Sequence, residues 1–320
     1  MAENIPKNHH FVPQFLLKNF SDIDNKTNVF YIQSQRIESR NIKHLFSKER
    51  LYEDASLSDI MQIEKLFSVL EEKASRVIKK ILGERRQVVL SYSEIETLKR
   101  FLFLLEYRSR RRKQQYENEL FDPLTKLVLA EKAKNGDYVS LWLRELKTIL
   151  ENRFDDIHKE ELSFPIWVEL EMRMNNTFLC IWEALEGERF ILTDNFGTYE
   201  KSRKFLFTPL LYLFPISPRR ILVLVFNELN IPRIWNTFDS EFSQEIVKPP
   251  QNLNSLMTSI DEKQAEYKII RIKDFDVKHA NALLLNETFE YFCFFDKESI
   301  VSSVQQYQNY SGNKNYFSGF

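Results

Sequence analysis

Three observations predict an α+β fold, with an N-terminal helical assembly and small hairpin followed by a mixed or antiparallel sheet and a C-terminal helix. Six glycines and ten prolines against 27 phenylalanines in 320 residues favour helices over a turn-dense all-β chain. Long stretches of the first half repeat apolar residues at a helical period. The second half carries apolar runs of strand length, separated by Gly, Pro and Asp-Asn turns. A hydrophobic content of 43% is enough for a core.

Taken in order, Pro13 to Phe20 reads as a short buried helix, because proline costs nothing in a first helical turn. Asn28–Gln33 and Arg36–Lys43 read as a hairpin. Ile60–Leu82 holds the helical period through Ile63, Phe67, Leu70, Ala74 and Ile78, with Ser58 or Asp59 as N-cap and Gly83 as terminator. Ser93-x-x-Glu96 is expected to cap a helix running to about Leu120. Helices follow over Pro123–Lys134 and Tyr138–Arg153, with Asn135-Gly136-Asp137 as the turn between them.

Composition changes after His158, so residues 1–158 are expected as a mainly helical region, 159–300 as an α+β region, and 301–320 as a polar, disordered tail. Phe178–Leu185 and Arg189–Thr193 read as a hairpin joined by Glu186-Gly187-Glu188. Phe214–Arg220 reads as a proline-rich corner and Ile221–Phe226 as a buried central strand. Glu241–Lys268 is expected to hold helical stretches broken at Pro249-Pro250. Asp276 is expected to cap a helix from Val277 to Phe292.

Forty-five basic residues balance 46 acidic ones, so nucleic acid would have to be held by a local patch. Cys180 and Cys293 sit in apolar surroundings and read as buried free thiols. The first residues lack a charged segment followed by an apolar run, and no stretch approaches ~18 apolar residues. A cytoplasmic protein with no membrane span is therefore expected.

The candidate site residues are dispersed. His9, His10 and Gln14 stand at the polar start of the first helix, where imidazoles can bind metal, shuttle protons or grip phosphate. They can equally tie down the terminus by hydrogen bonds. Glu64 and Glu71 share one side of their helix, as site carboxylates or solvated edges. Arg108, Arg111 and Arg112 fall at helical spacing and can hold phosphate, or form a plain solvated helix end. Asp194 and Asn195 lie at a strand end, as rim chemistry or ordinary turn residues.

The His9-His10-x-x-Pro13-x-x-x-Leu17-x-x-Phe20 start resembles the bacterial family known as domain of unknown function 4238. Ile63-Glu64 with Glu71, Ile191 to Asn195, Phe214 to Pro218, and Asn281 with Asn286 are similar to its further motifs, in order. The resemblance spans roughly His9 to the Cys293 region and implies no known reaction. Phe196 follows the Asp-Asn pair where the family pattern has proline, which leaves the shape of the turn open there.

No phosphate-binding glycine loop, dinucleotide fingerprint, nucleophile elbow or His-Glu-x-x-His zinc motif occurs. Two functions stay open. One is hydrolysis of RNA or DNA, with His9 or His10 as acid, base or ligand to a divalent metal. Asp194 and Glu64 would then supply carboxylates and Arg108 would hold phosphate. The other is a non-catalytic interaction or scaffold protein in which these residues are structural.

Overall fold

The computed structural model describes residues 8–53, 61–202, 209–253 and 263–311. The chain has the α+β architecture expected, but its strands interlace the two halves.

β1 (Asn8–His10) leads into α1 (Gln14–Asn19), which Pro13 caps with φ at −60° and which buries Leu16 and Leu17. β2 (Lys26–Tyr31) and β3 (Arg36–Asn41) form the expected hairpin, and β4 (Ser47–Glu49) returns to pair with β1. α2 (Gln62–Gly83) buries the periodic apolar face seen in the sequence. The proposed caps Ser58 and Asp59 lie outside the described residues.

β5 (Gln87–Ser91) precedes α3 (Tyr92–Tyr107). The capping box is Ser91 with Glu94, not Ser93 with Glu96. Glu96 lies one turn in, paired with Arg100. The helix does not run on to Leu120. Ser109 stops it, because its hydroxyl accepts from the Arg112 N–H at 3.2 Å and caps a new helix, α4 (Arg110–Glu117). α5 (Pro123–Lys132), α6 (Tyr138–Glu151) and α7 (Phe164–Asn175) complete the helical layer, with Asp122 and Asp137 capping α5 and α6.

The remaining elements are β6 (Thr177–Ala184), β7 (Leu192–Thr193), β8 (Thr198–Lys201), β9 (Pro209–Ser217), β10 (Arg220–Phe226), α8 (Pro232–Phe238), β11 (Gln251–Asn252), β12 (Gln264–Ile272), α9 (Asp274–Asn286), β13 (Tyr291–Phe294) and α10 (Glu298–Ser311). A seven-stranded sheet runs β11-β12-β6-β10-β9-β8, with β5 also on β12. Among the described strands only β12 against β6 is parallel. All seven residues of β10 are buried, as a strand covered on both faces requires.

Several sequence expectations yield to this pairing. β6 does not form a hairpin with residues 189–193; it lies between β10 and β12, while β7 joins β13. The proline-rich corner is largely strand, with Pro215 opposite Ile221 where the register shifts and a missing N–H is tolerated. Residues 264–268 extend in β12 rather than a helix. The C-terminal helix ends at Asn286, and Tyr291–Phe294 become β13 because their aromatic run fills a second sheet, β3-β2-β13-β7. Residues 301–311, expected as tail, belong to α10, which buries Ile300, Val304 and Tyr307. Strands pair across the composition change near 158, since β5 joins β12 and β2 joins β13.

A charged cavity between the helical layer and the sheet

His9 and His10 fold inward. His9 is fully buried, its Nδ1 accepting from the Tyr52 N–H at 3.2 Å and its ring stacked on that tyrosine at 5.7 Å. His10 is half-buried and its Nε2 lies 2.9 Å from the Gln14 amide nitrogen. Burial, with Arg108 nearby, holds the His10 imidazole below its ordinary pKa despite a hydrogen bond to the Leu45 backbone. Arg108, only 1% exposed, closes this cluster. Its Nε donates to the Phe11 carbonyl at 3.1 Å, its Nη1 pairs with Glu71 at 2.7 Å, and its guanidinium lies 4.3 Å from the Phe67 ring centroid. The Tyr52 hydroxyl donates to the Arg108 carbonyl. Glu64 sits in the same field. Burial pushes its carboxyl up to about 7 against the pull of Arg108, and its Oε2 has no hydrogen-bond partner among the described residues.

Asp194 is engaged elsewhere. Its carboxylate accepts from the backbone N–H groups of Phe289, Glu290 and Tyr291 at 2.8, 2.5 and 3.2 Å. It thereby ties the end of β7 to the connection between α9 and β13. Burial still pushes it up to about 6. The three amides use both oxygens, which leaves little of the group for chemistry. Phe196 follows with φ at 63°, a left-handed conformation that proline's fixed φ near −65° forbids. This turn is thus shaped differently from one with proline at that place.

The helix break at Ser109 divides the arginines. Arg108 turns into the N-terminal cluster, whereas Arg111 and Arg112 line a cavity of about 390 Å³ that Asn195 also borders. Three ion pairs descend into it. Arg111 meets Glu287 at 2.6 Å near the mouth, Arg112 meets Glu169 at 3.0 Å, and Arg173 meets Glu106 at 2.6 Å at the buried floor. Arg173 also lies over Tyr212, 4.4 Å from its ring centroid. Its Nε–H has no acceptor among the described residues. Burial raises the Glu106 carboxyl, against Arg173, while the Arg112 guanidinium, lowered by burial, is held above its ordinary value by Glu169. Lys201 is a fourth cation in the lining, against three carboxylates. Gly197 packs against the floor: a Cβ there would stand 2.6 Å from Glu106 Oε1 and 2.7 Å from the Phe214 ring.

Sequence inspection missed Glu106, Glu169, Arg173, Gly197 and Lys201. One signal was present, since Glu169 and Arg173 stand four apart on α7. The pairing of Arg173 with Glu106 had no local trace, because α3 and α7 meet only in the fold.

Among the described residues no group of three or more His, Cys, Asp or Glu side chains is placed to hold a metal ion, and no helix is long and apolar enough to cross a membrane. Cys180 and Cys293 are buried free thiols. The fold and cavity define an α+β protein with a guanidinium-lined chamber between helices and sheet. The family model described as protein of unknown function (DUF4238) matches residues 8–298, and the chain belongs to that family. No curated protein and no solved structure matches it.

Proposed function

We propose that this protein binds a phosphorylated small molecule in the charged cavity. The observation that carries the reading is the floor arginine, Arg173, buried with an Nε–H that has no acceptor among the described residues, in the same lining as Arg112 and Arg111. Guanidinium groups present five donors in a fixed fork, so a carboxylate on one side leaves donors for a phosphate on another. The three glutamates hold the arginines aimed along the cavity. The same phosphate chemistry can be offered by a free metabolite or by the end of an RNA or DNA strand.

Titration calorimetry with methyl phosphate and with a 5′-phosphorylated oligonucleotide tests this. Methyl phosphate is expected to bind, and Arg112→Gln to weaken it by roughly tenfold or more, the scale of one charge-assisted hydrogen bond. Absence of binding to both probes would remove the reading. Binding of the oligonucleotide alone would transfer it to nucleic acid.

A second reading, hydrolysis of RNA or DNA at the N-terminal cluster, rests on Glu64, whose carboxyl near 7 suits a general acid or base. It predicts cleavage that Glu64→Gln and His10→Ala each abolish. Equal inertness of wild type and variants, with and without a divalent metal, would leave the scaffold role for this cluster.

A further inference from the structure

We infer that the ligand is amphiphilic: a phosphate carried on a single alkyl or acyl chain, with the chain seated in a second chamber beside the charged one. The inference rests on the proposed phosphate site. A cavity of about 500 Å³ is lined by Met172, Leu210, Phe226, Leu229, Ile234 and Phe238. Among the described residues polar groups enter only through Asn176, Glu228 and Thr237.

The two chambers share their walls. Pro209 lines both. α7 presents Glu169 and Arg173 to the charged chamber, and Met172, with the helix's C-cap Asn176, to the apolar one. β9 gives Tyr212 to the first and Leu210 to the second. The Tyr212 and Phe226 rings, one from each lining, lie 6.2 Å apart. A ligand with its phosphate on Arg112 and Arg173 therefore has an apolar space within reach past Pro209. A wholly polar ligand would leave that space empty, and a chamber with this lining holds water poorly. Both volumes fall in the usual range for small-molecule sites.

A chain-length series tests this on the full chain: methyl, butyl and octyl phosphate, each below its micelle concentration, by titration calorimetry. Affinity is expected to rise about fourfold per added methylene until the chamber is full, about 0.8 kcal/mol each. Thr237, on the exposed side of α8, can carry a larger side chain into the chamber without disturbing the core. Thr237→Trp is expected to flatten the series while leaving methyl phosphate affinity unchanged, and Arg112→Gln to weaken every member alike. Methyl phosphate binding that depends on Arg112, with no gain from chain length, overturns this inference and leaves the phosphate site standing. A gain that survives Thr237→Trp places the chain elsewhere and also overturns it. Failure of methyl phosphate to bind removes both.

Discussion

Arg108, in the turn after α3, meets Glu71 of α2 at 2.7 Å, and its guanidinium covers the Phe67 ring one helical turn before that carboxylate. The pair joins the two longest helices and, through the Phe11 carbonyl, fastens the chain's beginning to them.

Removing one partner leaves a buried charge unmatched. Arg108→Ala is expected to lose about 3 kcal/mol of unfolding free energy. Glu71→Ala leaves the more deeply buried guanidinium unmatched and should lose at least as much. Urea unfolding measures both. Equal stability of wild type and Arg108→Ala would show that the pair holds nothing together.

Glu64 sets a pH dependence of defined sign. Its folded pKa of about 7 lies above the ordinary glutamate value, so the native state holds the extra proton between them. Its contribution is greatest below about pH 4.5 and falls as pH rises toward 7, by at most about 1.4 kcal/mol per unit. Glu64→Gln cannot ionise. Relative to wild type it should gain stability as pH rises through that window and level off above it. A pH-independent difference between the two would refute the assignment.

Asp194→Asn retains one carbonyl oxygen where two carboxylate oxygens served three N–H groups. A loss of about 2 kcal/mol is expected, as for hydrogen bonds to a charged acceptor. Hydrogen exchange should quicken first at Phe289, Glu290 and Tyr291. Unchanged protection at those amides would mean that other contacts hold this connection.

Gly197→Ala places a methyl group against the Glu106 carboxylate and the Phe214 ring. Overpacking of this kind costs about 1–3 kcal/mol. Displacing Glu106 should also free Arg173 from its partner, so a change in phosphate affinity should accompany the drop in melting temperature. An alanine variant matching wild type in both would show that the floor has room.

The local elements were readable, and their partners were not. α2 and α6 are written in a strict apolar period and in the Asp137 cap, which act over a few residues. The α3 start was placed two residues late because two Ser-x-x-Glu patterns overlap, at Ser91 and Ser93, and only tertiary burial of Glu96 selects the first. With Leu283, Leu284 and Phe289 as its core, the expected helix runs on to Phe292, past the end of α9 and into the first residues of β13. Its strand state depends on β2, more than 250 residues away. The arginine run was visible as a cluster, yet a single serine hydroxyl splits it between two sites. Asp194 was visible as turn or site residue, and its three amide donors come from a segment with no sequence link to it.

The register of Val29 against Cys293 has a temporal side. During synthesis β2 and β3 emerge well ahead of β13, and β2 stays a half-clothed edge until β13, more than 250 residues later, has left the ribosome. Closing so long a loop slows folding, and an uncovered edge invites pairing with other chains meanwhile. Assembly of this protein therefore waits on β13, and shortened versions ending before Tyr291 are expected to aggregate rather than fold as a smaller unit.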